Sequence, residues 1–296
     1  MTDLGLLHHF LGMGVVQTDK TIFIHQRKYA MKLIEKFGMK DCKSVATPLV
    51  VNEKLCKVDG SEAANESEYR QVVGSLLYLT ATRPDIMFSS SLLARFMHNP
   101  TKKHMGIAKR VLRYIQGTLD FGIEFVKEKT TTLIGYCDSD WARSEDDMRS
   151  TSGYAFTLVS GMFSWALIKQ NTAALSTTEA EYVNAAEATS QAKWLRFVLE
   201  DFGEEQVEGT PIMCDNTSGI TIAKNPVLNQ KTGHISRKFH FIRKAIQAKE
   251  IELVYCKMED HIAYILTKAL PKDRFACLRG LLGVKSPKRL EGSVDV

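Results

Sequence analysis

The sequence predicts a mixed α/β sheet with flanking helices, preceded by a mainly helical segment, on three observations. Residues 132–168 hold three short runs of alternating apolar and polar residues, the last two meeting at Ser160-Gly161, which reads as antiparallel strands with a turn. Beyond them, runs of strand length alternate with helical patterns as far as residue 270. Upstream, the longest periodic patterns are helical. The composition, 296 residues with 44% hydrophobic and 25% charged, is that of a soluble, core-forming chain and excludes disordered and collagen-like classes.

In chain order, the apolar runs Leu6–Val16 and Thr21–His25 flank a polar Gln17-Thr18-Asp19-Lys20 turn and suggest a strand pair. A helix over 27–37 ends at Gly38. Residues 41–65, aperiodic and carrying Pro48 and Gly60, read as a connecting loop. Helices follow over 67–82, stopped by Arg83-Pro84, and over 85–97. Asn99-Pro100 then reads as N-cap and first position of a third helix, ending at Gly117. The second part reads as strands over 132–138, 153–159 and 162–168, a long helix over 177–200 and a strand over 210–215. Helices over 217–224 and 236–248, a strand over 250–256 and a helix over 260–270 complete it. Ser150–Ile168 has nineteen residues without a formal charge, but eight are Ser, Thr or Gly and the rest alternate, so it is a hairpin rather than a membrane span.

Charge is divided unevenly. Residues 1–126 carry 17 Lys+Arg and 12 Asp+Glu, and residues 127–296 carry 22 of each, so the formal +5 belongs to the first part. Lys102, Lys103, Lys109, Arg110 and Arg113 fall within an arc of roughly 120° on one helix. No acid lies between Asp85 and Asp120. That favours a phosphate-contacting face, with a solvated helix face as the plain alternative. Between Asp215 and Glu250 acids are again absent, while Lys224, Lys231, Arg237, Lys238, Arg243, Lys244 and Lys249 supply seven cations. Six cysteines form no CxxC pair, which indicates a reducing compartment. The first residues, MTDLGLLHHF, lack the pattern of a secretory signal, so an intracellular, non-secreted protein is expected.

Three acids stand out. Leu133-Ile134-Gly135-Tyr136-Cys137-Asp138 and Pro211-Ile212-Met213-Cys214-Asp215 are apolar strands ending in Cys-Asp, which puts each carboxylate at the sheet rim and each cysteine toward the core. Taken singly, Asp215 serves as well to cap the helix after it, and Asp138 to start a turn. Ser176-Thr177-Thr178-Glu179 has capping-box spacing and assigns Glu179 to the helix start. Glu181, two residues on, points elsewhere and is available beside the sheet edge. Three hard oxygen donors without Cys or His favour Mg²⁺ or Mn²⁺ over zinc.

Several segments carry a resemblance. Tyr136 to Ala142, Ser152-Gly153-Tyr154, Trp165 with Lys169-Gln170, Ser176 to Tyr182, Cys214-Asp215-Asn216, His234-Ile235 with His240 to Arg243, and Ile265 to Lys268 resemble the ribonuclease H domain of Ty1/copia-type retrotransposon Pol polyproteins. Asp3-Leu4-Gly5, Phe10-Leu11-Gly12, Tyr69-Arg70, Gly74 to Tyr78, Thr82 to Ile86 and Tyr114 to Thr118 resemble the end of the reverse transcriptase and its connection in the same polyproteins. The resemblance implies an RNase H-like five-stranded sheet. It also implies a domain plan of reverse-transcriptase remnant 1–126, RNase H-like domain 127–272 and C-terminal tail 273–296.

Asp138, Glu181 and Asp215 match three of the family's four metal-binding carboxylates. The implied chemistry is two-metal hydrolysis of the RNA strand of an RNA–DNA hybrid, with a 2′-OH contact selecting RNA. The implied partners are the hybrid and the remainder of a Pol polyprotein. Two departures qualify this. No Tyr-x-Asp-Asp motif occurs, so polymerase activity is not expected. Where the family carries an Asp before the hydrophobic pair preceding Thr-Lys, this chain has Tyr264, neutral at pH 7 and a poor Mg²⁺ ligand, so two ions are expected with the second weakened. Asp260, one turn earlier, either reaches the site or caps its helix. Weak or absent ribonuclease H activity is the resulting expectation. One alternative is an inactive transposon remnant that only binds nucleic acid. Another is a protein labelled as a secreted effector, since Arg110-Val111-Leu112-Arg113 fits Arg-x-Leu-Arg; its position within an amphipathic helix with no signal ahead counts against this.

Overall fold

The computed structural model describes residues 6–127, 131–142, 144–158, 160–224 and 236–287. The chain divides into two compact units, residues 1–127 with 269–296, and residues 128–268. Among the described residues no helix is long and apolar enough to cross a membrane.

The first unit opens with an antiparallel meander, β1 (His9–Phe10), β2 (Met13–Gln17) and β3 (Thr21–His25). The expected strand pair is present, its first run split where Leu11 and Gly12 take positive φ. Next, α1 (Arg27–Lys36) buries Ala30, Leu33 and Ile34. The side chain of Asn65 accepts the Glu68 amide and starts α2 (Glu66–Leu79), which buries Tyr69, Val72, Val73 and Leu76 at helical spacing. A 3₁₀ turn over Pro84–Ile86 leads into α3 (Met87–Ala94).

The N-cap of α4 (Lys102–Gln116) is Thr101, not Asn99. The Thr101 hydroxyl accepts the His104 amide, the Thr101 amide donates to His104 Nδ1 at 3.0 Å, and the same hydroxyl donates to Asp59 at 2.6 Å. Asn99 offers no such reciprocal pair, so the helix starts two residues after Pro100. An unexpected strand, β4 (Gly122–Val126), then pairs with β3.

The basic stripe on α4 faces the chain's own loop. Lys102 pairs with Glu62, Lys103 Nζ donates to the Lys54 carbonyl at 3.2 Å, Arg110 to Thr47 Oγ1 at 3.2 Å, and Arg113 to the Lys43 carbonyl at 2.7 Å. Carbonyls of an irregular loop have no ladder partners, and these side chains supply the donors. The expectation that Arg110 and Arg113 contact phosphate is revised accordingly, and Lys109 alone of the three is exposed. Val111 and Leu112 are fully buried, so Arg110–Arg113 is a packed helical turn rather than an accessible peptide motif.

The polar centre of this unit is a charge network with almost no solvent contact. Arg83, 1% exposed, forms a bidentate pair with Asp85 at 2.9 and 2.8 Å and donates to the Thr118 carbonyl and hydroxyl. The Tyr114 hydroxyl donates to Asp85 Oδ2 at 2.5 Å and accepts from Arg279 at 3.0 Å.

The second unit contains β5 (Ile134–Asp140), β6 (Thr151–Thr157), β7 (Met162–Lys169), α5 (Thr177–Asp201), β8 (Thr210–Cys214), α6 (Thr217–Lys224), α7 (Ser236–Gln247), β9 (Ile251–Tyr255) and α8 (Tyr264–Thr267). Its sheet order is β7-β6-β5-β8-β9. The first three strands are antiparallel, while β8 runs parallel to β5 and β9 to β8. This is the RNase H-like arrangement that the resemblance implied. Ala185, Ala188 and Ala192 of α5 belong to one core with Phe156, Ile212 and Leu253 of the sheet. Their small side chains let the long helix lie close to the strands.

Of the segment expected as a tail, 273–296, the described residues 273–287 carry regular structure in the first unit. There α9 (Lys272–Leu281) buries Phe275 and Leu278, and β10 (Val284–Lys285) pairs with β4, giving the sheet β1-β2-β3-β4-β10. The expected helix over 260–270 reduces to α8, with a separate 3₁₀ turn over Met258–Asp260. The first part is mainly helical as expected, with β4 and β10 added to its sheet by long-range pairing.

Candidate metal centre

Asp138 lies inside β5 rather than at its end, since the strand continues through Ser139 and Asp140. It is fully buried and faces Gly153 of β6 across the register, while Cys137 turns into the core as alternation requires. Glu181 is carried by the second turn of α5, whose start is fixed by Ser176 accepting the Glu179 amide. Glu179 itself accepts the Leu175 amide at 2.9 Å and is thereby held in a capping role. Two buried amides fasten α5 to the sheet: Gln170 donates to Ser152 and to the Ala180 carbonyl, and Asn184 to the Gly153 carbonyl. At the end of β8, Asn216 accepts the Gly219 amide at 2.9 Å, so Asn216 provides the cap and Asp215 does not.

The structure therefore brings the three sequence-identified acids together. One carboxylate oxygen from each of Asp138, Glu181 and Asp215 lies within 4.8 Å of the others. Glu181 and Asp215 border an open cleft of about 470 Å³, with Asp140, Trp141 and Asn216 on its walls, and Asp138 is buried behind them. Tyr264, the residue expected at the fourth position, lies beside the cluster, and its hydroxyl donates to Asp215 Oδ2 at 2.5 Å. Its ring stacks on His261 with centroids 4.8 Å apart. Asp260 lies on the exposed 3₁₀ turn, outside the cluster.

Two residues not singled out as site residues complete the centre. Thr267 donates to Asp138 Oδ2, and Lys268 Nζ donates to Asp138 Oδ1 at 3.1 Å. Lys268 Nζ also lies 4.1 Å from the centroid of the Tyr264 ring. The available signal was the Ile265–Lys268 segment of the resemblance, which carried no chemical assignment of its own.

Crowding shows in the protonation behaviour. Burial pushes the Asp138 carboxyl up to about 7, against the pull of Lys268 and Thr267 and with the push of Asp215. Burial, then Asp138 and Asp215, drive Glu181 well above the usual carboxylate range. Burial opposes the charge of Lys268, yet Asp138 outweighs it and raises the ammonium's pKa. Glu181 Oε1 accepts the Ser139 amide at 3.1 Å, whereas Oε2 is buried without a hydrogen-bond partner. Three converging hard oxygen donors, one of them orphaned, fit a hard divalent cation.

The centre depends on close backbone approach. A Cβ on Gly153 would meet Thr267 Cγ2 at 2.7 Å and Leu266 Cβ at 3.2 Å. Gly153→Ala is expected to cost about 1–3 kcal/mol by overpacking and to displace Thr267 from Asp138. A thermal melt unchanged from the parent would refute this.

The cationic stretch after Asp215 is only partly described. Lys238 pairs with Glu187 at 3.0 Å, Arg243 is half-buried and Lys244 is exposed on α7. Lys231 lies outside the described residues, as do the side chains of Lys224 and Arg237.

No protein-family model matches the chain. It is 36% identical over 278 residues, 94% of its length, to the retrovirus-related Pol polyprotein from transposon RE1 of Arabidopsis thaliana. The chain belongs to the Pol polyproteins of copia-type retrotransposons. It spans about a fifth of the length of that Pol polyprotein. It is also 46% identical over 128 residues, 43% of this chain and 90% of the other, to the secreted RxLR effector protein 161 of Plasmopara viticola. Among solved structures, LC11-RNase H1, isolated from compost, is similar with 17% identity and a TM-score of 0.36, covering 46% of this chain and 92% of that one. Residues 128–268 of this copia-type Pol chain form an RNase H-type domain.

Proposed function

We propose that this copia-type Pol segment hydrolyses the RNA strand of RNA–DNA hybrids with divalent cations, at a rate held down by Tyr264. The observation that carries the reading is the convergence of Asp138, Glu181 and Asp215 beside an open cleft. Asp138, Glu181 and Asp215 would hold Mg²⁺ or Mn²⁺, two ions being the family's number. When bound, such ions activate the attacking water and stabilise the leaving 3′ oxygen. The chain's own residues set the donors: Thr267 and Lys268 orient Asp138, the Ser139 amide orients Glu181, and the Tyr264 hydroxyl orients Asp215. Tyr264 brings no negative charge to the fourth position, which weakens the hold on a second ion.

Residues 1–126 are read as the end of the reverse transcriptase and its connection, without a polymerase site, and the protein as intracellular. The cations of α7, with Lys109, Lys224, Lys231 and Arg237, are read as contacts to the hybrid's phosphates. A second reading, binding without turnover, is favoured by the same Tyr264–Asp215 hydrogen bond, which occupies the acid that a second ion needs.

Assaying hybrid cleavage in Mg²⁺ separates the two. Tyr264→Asp is expected to raise cleavage by about tenfold or more over the parent. Equal, robust turnover by both forms would remove the attenuating role of Tyr264. Absence of cleavage in both, with salt-sensitive hybrid binding retained, would leave the binding module.

A further inference from the structure

Asp138, buried beneath the cleft, has both carboxylate oxygens engaged, Oδ2 by the Thr267 hydroxyl and Oδ1 by the Lys268 ammonium at 3.1 Å. Lys268 is only a third exposed, and its ammonium lies 4.1 Å over the ring of Tyr264, the residue at the fourth position. A fixed positive charge thus occupies the space between Asp138 and position 264. Formal charge follows the same line. With Asp140 on the cleft wall, four carboxylates and one ammonium sum to minus three, which a single divalent cation brings to minus one. A second divalent cation would sit beside the ammonium, leave the cluster positive, and find a phenol in place of a carboxylate. Glu181 Oε2 is buried without a hydrogen-bond partner, while Oε1 accepts the Ser139 amide at 3.1 Å.

We infer that this centre takes one divalent cation, and that the Lys268 ammonium holds the place of the second. The inference rests on the cation-dependent reading of the site given above, but concerns ion number rather than cleavage.

Titration of the full chain, stripped with chelator, by Mn²⁺ in a calorimeter tests it, together with the Mn²⁺ resonance spectrum. One equivalent is expected, with the spectrum of an isolated ion. Lys268→Gln, at a partly exposed position, is expected to bind Mn²⁺ about tenfold more tightly, because a neighbouring positive charge is gone. Lys268→Gln combined with Tyr264→Asp is expected to take two equivalents with a spin-coupled spectrum. Tyr264→Phe, which keeps the ring and removes only the hydroxyl, stays at one and serves if the Asp form does not fold.

Two equivalents and a coupled spectrum in the parent would overturn the inference, as would no binding at all, or unchanged affinity in Lys268→Gln. One bound ion without hybrid cleavage would uphold the ion number while sinking the enzymatic reading. Two bound ions with cleavage would do the reverse.

Discussion

Replacing Asp138 by asparagine is expected to lower hybrid cleavage by about 10³-fold, roughly 4 kcal/mol at the transition state, in the chain and in its Tyr264→Asp form alike. The substitution is nearly isosteric in a fully buried position, so the loss would come from charge rather than from collapse. Asn keeps one oxygen to accept from Lys268, while its amide nitrogen must donate to a turned Thr267 hydroxyl, and it removes the negative charge beside Glu181 and Asp215. The same change relieves repulsion among carboxylates whose protonation burial already favours. Chelator-treated Asp138→Asn is therefore expected to melt no lower than the parent. A variant that cleaves as well as its parent would exclude Asp138 from the chemistry. One that unfolds would show that the carboxylate is structural.

The second large effect belongs to the other unit. Asp85→Ala leaves the Arg83 guanidinium buried at 1% exposure with its bidentate partner gone, and is expected to destabilise the first unit by about 3–5 kcal/mol. The Tyr114 hydroxyl loses its acceptor as well, while it still accepts from Arg279. Burial works to raise the Asp85 pKa, but the Arg83 guanidinium outweighs it, so the carboxyl titrates below its ordinary value. Its contribution is then complete above about pH 4 and is lost as pH falls through the lower folded-state value. Chemical denaturation followed at neutral and at acid pH checks both points. The expected result is a large Asp85→Ala deficit at neutral pH that shrinks in acid. A deficit of equal size at all pH values would show that the pair's charge is not what matters.

Much of the centre was legible because its acids are local signals. Asp138 and Asp215 each close an apolar run in the sequence, and the Ser176–Glu179 spacing fixes the start of α5, expected over 177–200 and observed over Thr177–Asp201. What could not be read depends on partners far away in sequence. Strand β4 has Glu124 at its middle, which looks unlike a core strand until Lys285 pairs with it from 161 residues away. The α4 stripe shows the same limit. A run of cations without acids is compatible with phosphate, and only the fold reveals acceptors 40 to 70 residues upstream. Thr267 and Lys268 sit on and after a four-residue helix, too short for periodicity to orient their side chains.

The return of the chain to its first unit has a consequence for synthesis. All elements of the RNase H-type unit lie between residues 128 and 268, whereas β4 must wait for β10, which pairs Val284 with Ile123. On a ribosome the inserted unit has its whole sequence available before the surrounding unit does. Until residue 285 emerges, one edge of β4 stays open as a template for strand addition. The nascent chain is therefore most exposed to misassembly while its RNase H-type unit is already able to fold.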